Sequence, residues 1–572
     1  MNNEKLFLGA RKRVRETDAI IIGGGATGAG LARDLSRRGF ECVLFERGDL
    51  ATGATGRNHG RRHRGARYAV TDQVSAEECV KENSILRKIA RHCVEETDGL
   101  FITLPEDDLE YQKNFIVACR AAGISAEALD PEFAKRLEPS ANQTLIGAVK
   151  VPDGVVDPFR LTVANMLDAV SHGALCHTYC EVTGILVENA VATGVRVRDN
   201  LSREEYEVRA KVVINASGIW GGRVGAMAGV EVKMFPTRGS LLILGHRLNR
   251  LVINRCRKPA DADILVPGDT VCLIGTTSIP IKFEEIDTTV SDREEVDILI
   301  REGALLCPEI ETARKIRCYC GSRPLIADEN DKTGRSTSRH IVLLDHETRD
   351  GLKGFVTISG GKLITYRLMA EMTTDLVCRK LGKNVPCDTH SVPLPGSHEP
   401  PDKILRKIAP LPPTIKAAIV HRHGDMATDI AAEGASATSL VCECELVSAA
   451  EVEHAVDTLA VRNMTDLRRR VRVGMGPCQG ELCMSRAVGI LADKGVCPPS
   501  GCPGELASFL VERWKGIHPL TWGETLRESE FIMWLYQGVC GIGPSDLEPG
   551  RVPGEAPGEA ASTETPPGAP PG

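Results

Sequence analysis

At 572 residues, with 42% hydrophobic and 26% charged side chains, the chain has the make-up of a soluble globular protein too long for a single core, and about two to four domains are expected. A formal net charge of -7 without a long basic run argues against a dedicated nucleic-acid binder. The basic start, Met1 to Arg15, lacks the apolar core of a secretory signal, and no uncharged apolar stretch is long enough to span a bilayer.

The first predicted element is the apolar run Asp18 to Ile22, read as a strand buried on both faces of a parallel sheet. It enters the glycine turn Gly23-x-Gly25-x-x-Gly28 and then a helical pattern from Leu31 to Arg38. A second strand, Glu41 to Glu46, follows. In this strand–turn–helix setting the first glycine permits a tight turn and the second lets the backbone approach a pyrophosphate. The third lets helix and strand pack closely, and the helix N-terminus supplies N–H groups to the phosphate. Glu46 ends the second strand, where a carboxylate would bond ribose hydroxyls.

Residues 48–65 read as a glycine-rich loop, with Thr52 and Gly53 as cofactor contacts. Asp72 to Cys93 reads as an amphipathic helix opened by a Ser75-x-x-Glu78 capping box. Strand-like runs at 211–215, 240–244, 264–266, 271–274, 340–344 and 354–358 suggest an antiparallel sheet beside the first domain. Proline and charge accumulate between Leu394 and Pro413, which marks a boundary. The tail from Pro549, built of Pro, Gly, Ala and Glu, is expected to be disordered.

Twenty cysteines are many, yet most stand singly in apolar segments (Cys42, Cys79, Cys119, Cys272) and read as buried free thiols of a reducing compartment. Cys318-Tyr-Cys320 has no second pair at useful spacing and reads as structural. The exception is Cys442-Glu-Cys444 with Cys478-x4-Cys483, four thiolates that suit either a [2Fe-2S] cluster or a structural zinc. Zinc sites usually use Cys-x-x-Cys knuckles, and this spacing differs. A Ser448-x-x-Glu451 capping box starts a helix just after the first pair, and the turn at 474–478 leads the second pair into another. Arg468, Arg469 and Arg470 could add positive field there or form a solvated basic face.

The glycine turn alone does not separate FAD from NAD. Asn215-Ala216-Ser-Gly218-Ile-Trp220 and Gly360-Gly361-Lys362-Leu363-Ile-Thr365 resemble the later flavin-contacting turns of glutathione-reductase-like proteins, which favours FAD. Segments 60–70, 100–108, 147–161, 254–269, 321–325 and 360–367 resemble the FAD-dependent glycerol-3-phosphate dehydrogenases. The resemblance is strongest to the anaerobic branch, whose catalytic subunit ends in a bacterioferritin-associated-ferredoxin-like module, and it covers roughly residues 17 to 540.

That resemblance implies an α/β fold. A glutathione-reductase-like FAD-binding Rossmann domain with an inserted antiparallel-sheet substrate domain is followed by a small helical iron–sulfur module of four cysteines. The expected organisation is an N-terminal extension (1–16), a discontinuous FAD and substrate domain (17–393), a helical linker (394–436), a [2Fe-2S] module (437–492), a helical extension (493–545) and the tail (546–572). The implied reaction oxidises sn-glycerol 3-phosphate to dihydroxyacetone phosphate. A companion flavin subunit, together with a membrane-anchoring iron–sulfur subunit, would pass electrons to quinone. The enzyme would be cytoplasmic and attached to the inner face of the cell membrane.

Implied site residues are His63 as general base, Arg67 and Arg323 on the phosphate or C2 oxygen, and Tyr68, Arg339 and Lys362 in support. Guanidinium groups suit a phosphorylated substrate, and histidine suits proton removal near neutral pH. The chain departs from the family at Arg61, Arg62 and Arg64, which either strengthen phosphate binding or face solvent. It departs also at Cys320 and Ser322, and at Leu241 where aerobic relatives carry histidine. Two other readings remain: an amine or 2-hydroxy acid oxidase of the same fold, and a non-catalytic redox-sensing flavoprotein.

Overall fold

The computed structural model describes residues 14–62, 64–326, 340–408 and 410–543. The strand Glu16–Ile22, the helix Ala26–Arg37 and the strand Cys42–Glu46 form the expected βαβ opening. The helix packs so closely on the first strand that a Cβ on Gly28 would lie 1.9 Å from the Gly23 carbonyl oxygen. Only glycine fits at that position.

Glu16–Ile22 lies inside a sheet whose order runs Ile341–Asp345, Phe355–Gly360, Glu205–Asn215, Glu16–Ile22, Cys42–Glu46, Leu175–Thr178. The four inner pairings are parallel, and Ile341–Asp345 joins antiparallel at the edge. This corrects the sequence-based reading of 211–215, 340–344 and 354–358 as parts of an antiparallel sheet. Their runs are apolar because both faces of the flavin sheet are covered, one by helices and the other by the strands Cys180–Glu188 and Val191–Asp199 with the helix Gly221–Met227.

A second sheet carries Met234–Leu244, Val252–Arg255, Ile264–Pro267, Cys272–Gly275 and Lys315–Ile326, and is antiparallel except where Val252–Arg255 pairs parallel with Gly99–Thr103. Lys315–Ile326 lies on its side facing the flavin domain. There the Tyr319 hydroxyl donates to the Asn58 carbonyl at 2.9 Å, and Gly321 leaves room for the Arg57 backbone.

The helix after the glycine loop spans Gln73–Ile89, and its cap is Asp72, whose carboxylate accepts from the Ser75 N–H at 3.0 Å. The predicted Ser75–Glu78 box is therefore wrong: Asp72 occupies the cap position, and Ser75 sits inside the first turn. The box at Ser448 and Glu451 is present and opens the helix Ala449–Thr458.

The short strands Leu440–Cys442 and Val447–Ser448 and the helices Ala449–Thr458, Met464–Val471 and Met484–Asp493 make the cysteine module. Its apolar face, with Val452, Leu467, Met484 and Leu491, is continuous with the core around Ala19, Leu31 and Leu44 of the flavin domain. Polar contacts fix the angle of that packing. Asp49 is fully buried and receives Arg470 Nη2 at 2.5 Å and Arg469 Nη1 at 2.9 Å. These guanidinium groups hold its carboxyl below the usual carboxylate range against the opposing effect of burial. The Tyr179 hydroxyl donates to Asp466 at 2.7 Å, and Arg472 reaches Asp269 at 2.6 Å and Glu445 at 2.9 Å. The basic run 468–470 is thus mostly an internal clamp, not a solvated face.

Arg61 and Arg62 are also internal. Arg61 pairs with buried Asp153, and Arg62 pairs with Glu96 at 2.7 Å and donates to Asn83 at 2.5 Å. Neither a phosphate role nor a solvent role, the two options read from the sequence, applies to them; they anchor the turn that precedes the site.

Removing one side of a buried ion pair leaves a charge without compensation, at about 3–5 kcal/mol. Asp49→Ala should lower the free energy of unfolding by that amount in denaturant titration, with Asp49→Asn less affected. A loss under about 1 kcal/mol would show that the clamp does not hold the module.

Candidate functional site

A cleft of about 210 Å³ opens where three strand-ends of the flavin sheet meet. It is lined by Gly23 and Gly25 of the first turn, Glu46, Thr52 and Gly53, Ala216 and Gly218 of the second turn, and Gly360 of the third. Eight of the eleven expected cofactor contacts therefore share one cleft. Gly28 packs beneath it, and Gly361 and Leu363 lie in the turn just beyond Gly360. Gly360 holds φ +76, and a Cβ there would strike the His340 carbonyl oxygen at 2.2 Å.

Glu46 is fixed rather than free. One carboxylate oxygen accepts from the Gly24 N–H at 2.7 Å and the other from the Gly48 N–H at 2.9 Å, while burial pushes its pKa up. Thr55, which sequence reasoning missed, caps the helix entry by accepting from the Ala26 N–H at 3.0 Å. The cradle thus offers backbone N–H groups, a helix N-terminus and a carboxylate in the order that a dinucleotide needs. These residues fit FAD.

Beside the cleft, Lys362 Nζ lies 4.8 Å from the centre of the Tyr68 ring and, among the described residues, is a buried cation without a hydrogen-bond partner. Arg67, adjacent to Tyr68, pairs with Asp263 at 3.3 Å and donates to the Ala260 carbonyl at 3.1 Å. Arg323 rests on a shelf of neutral acceptors: Thr276 Oγ1 at 2.8 Å, the Thr277 carbonyl at 2.7 Å and Ser278 Oγ at 3.3 Å. Burial pushes the Asp261 carboxyl up, and the nearby Arg323 acts in the opposite direction without reversing it. The 260–263 turn therefore lies next to both arginines. No local pattern in the sequence marks this turn or the shelf, because each forms only when the second sheet folds. His63 and Arg339 lie outside the described residues.

The four module cysteines come together as a chain of contacts, Cys442 with Cys483, Cys483 with Cys478, and Cys478 with Cys444. Hydrogen bonding by Cys483 draws Cys478 down to about 5 and Cys442 to about 7, while burial pushes Cys444 up to about 11. Cys483 itself is raised by the same hydrogen bonds. Backbone N–H groups of Glu445 and Gly474 point at Cys442, and those of Gly480 and Leu482 at Cys478. Amides aimed at sulfur are what an anionic cluster requires. This run of linked thiols suits a two-iron cluster, in which each iron takes two cysteines. Cys318 and Cys320 are buried single thiols of a strand.

Comparison with known proteins agrees with both halves. Residues 18–367 match the model of FAD dependent oxidoreductases, and residues 440–493 match that of BFD-like [2Fe-2S] binding domains. The chain is accordingly an FAD-dependent oxidoreductase carrying a [2Fe-2S] domain. It is 59% identical over 528 residues to the A subunit of anaerobic glycerol-3-phosphate dehydrogenase from Escherichia coli strain K12, covering 92% of this chain and 97% of that one. It is 57% identical to the protein of that name in Haemophilus influenzae, covering 93% and 94%. The fold matches glycerol-3-phosphate dehydrogenase from Bacillus halodurans complexed with FAD, with TM-score 0.61 and 20% identity over 91% of this chain and 95% of that one. The chain belongs to the family of anaerobic glycerol-3-phosphate dehydrogenase A subunits.

Cys478→Ser should abolish bound iron while the flavin spectrum and FAD content stay at wild-type values. Iron retained at two per chain in Cys478→Ser would overturn the ligand assignment.

Proposed function

We propose that the chain oxidises sn-glycerol 3-phosphate to dihydroxyacetone phosphate and hands the electrons to companion subunits that deliver them to quinone. The observation that carries this reading is the cluster of cations beside the flavin cleft, with Lys362 Nζ buried over Tyr68 and, among the described residues, without a hydrogen-bond partner. When bound, FAD accepts the hydride from C2, and the [2Fe-2S] cluster carries electrons one at a time.

The protein's own groups do the rest. Arg323, held by Thr276, Thr277 and Ser278, keeps a planar fork oriented for an oxyanion at C2 or a phosphate oxygen. Lys362 supplies a second positive charge, and its desolvation strengthens its attraction to an anion. Arg67, with Arg339 in support, holds the phosphate, and Asp263 orients Arg67. His63 takes the C2 hydroxyl proton.

The partner is a companion flavin subunit, and the membrane anchor is a further iron–sulfur subunit. Among the described residues, no helix is long and apolar enough to cross a membrane, in keeping with attachment to the inner face of the cell membrane through those partners. The helix Gly523–Gly538 supports a docking face at the cysteine module. It leaves Phe531 57% and Trp534 74% exposed, while Tyr536 beside them donates to the Gly480 carbonyl inside the cysteine loop at 2.8 Å.

The test is anaerobic purification followed by addition of glycerol 3-phosphate. The flavin absorbance should bleach without oxygen, and no bleaching would sink the dehydrogenase reading. Arg323→Gln should reduce kcat/KM by about 10²–10³-fold, with Arg323→Lys retaining part of the activity. Lys362→Met should lower kcat as well as raise KM, whereas an effect confined to KM would limit Lys362 to substrate binding.

A further inference from the structure

The protein contains a second cavity, larger than the flavin cleft, of about 290 Å³. Its walls come from the 51–60 loop, the strand Lys315–Ile326, the helix Met464–Val471 and the helix Cys502–Ile517, so it lies between the flavin domain and the cysteine module. It touches the flavin cleft at Thr52, which lines both.

Charges on its walls do not balance. Arg160 and Arg472 are matched by Asp157 and Asp269, Arg469 by Asp49 and Asp466, and Lys515 by Glu512, whose carboxylate also acts at longer range on Arg317 and Arg57. Arg57, Arg317 and Arg468 remain. Among the described residues none of these three has a carboxylate within ion-pair distance. Among the same residues, Arg317 Nη1 and Arg468 Nε are buried nitrogen atoms without a hydrogen-bond partner. Burial, then the neighbouring Arg317, Arg469, Arg513 and Arg472, depress the pKa of Arg468 well below the usual arginine value. Guanidinium groups remain protonated in proteins, so the tension is relieved by an anion and not by proton loss.

A buried polar group without a partner costs about 1–3 kcal/mol, more when charged, and several converging on one void point to a missing ligand. Three forks match the oxygens of a phosphate better than one carboxylate. The void exceeds a phosphate ion, and Phe159, Val271 and Leu273 give it an apolar side. We propose that this cavity binds an organic phosphate, its phosphoryl group held by Arg317 and Arg468 with Arg57 at the mouth, and its body against Phe159 and Leu273. The site is separate from the substrate cations at Arg67, Arg323 and Lys362, none of which lines it.

The test uses the FAD-loaded, iron-replete full chain, with AMP and inorganic phosphate as probes in calorimetry and thermal-shift titrations at fixed ionic strength. AMP should bind saturably and raise Tm. Arg317→Gln and Arg468→Gln should each weaken that binding about tenfold or more, leave KM for glycerol 3-phosphate unchanged, and be at least as stable as wild type without a probe. No saturable binding of either probe would overturn the proposal, as would equal AMP binding in wild type and both variants. Binding of phosphate but not AMP would overturn the organic body. If one variant fails to fold, the other and the wild-type titration still decide. Loss of glycerol 3-phosphate turnover in the wild type with AMP binding intact would count against the dehydrogenase reading alone.

Discussion

Asp49 is the point on which the two redox halves depend. It leaves the flavin sheet just after the strand that ends at Glu46, and it is buried under Arg469 and Arg470 of the cysteine module. A carboxylate in that position cannot be left unpaired without a large desolvation cost, so the module has one acceptable orientation. Glu46 then faces the cofactor cleft while Asp49, three residues on, holds the cluster-bearing unit. One short loop sets both positions.

The same logic explains the arginines. This chain places guanidinium groups in its interior repeatedly, at Arg61 with Asp153, Arg367 with Glu82 and Arg422 with Glu451. Each pair joins segments distant in sequence, so each fixes one packing of the domains more than it adds net stability. Among the described residues, Arg317 and Arg468 have no such carboxylate partner.

Much of the fold is legible in the sequence where the signal is local. The glycine turn, its strand and helix, the Ser448–Glu451 box and the spacing of the four cysteines depend on neighbours a few residues away. Sequence reasoning fails where the deciding partner is remote. Asp72 displaces Ser75 as a cap because helix entry is set by backbone geometry, and two candidates three residues apart look alike in sequence. Strands 211–215 and 354–358 are assigned to the wrong sheet because a buried strand's apolar run says nothing about its neighbour. Arg61 and Arg62 look functional because their carboxylate and amide partners, Asp153, Glu96 and Asn83, lie far along the chain. At the site, the glycines and Glu46 are legible as a motif, while the Thr276–Ser278 shelf and the 260–263 turn depend on sheet pairing that no local pattern encodes.

The apolar core that runs unbroken from Leu31 and Leu44 to Leu467 and Met484 has a practical consequence. The cysteine module is not a detachable ferredoxin. Cut from residue 439 onward, it would expose the face that now completes the flavin domain, and the flavin domain would lose its lid at the same time. Gain or loss of such a module in a lineage therefore requires compensating changes on both surfaces, so the two redox units are constrained to evolve as one.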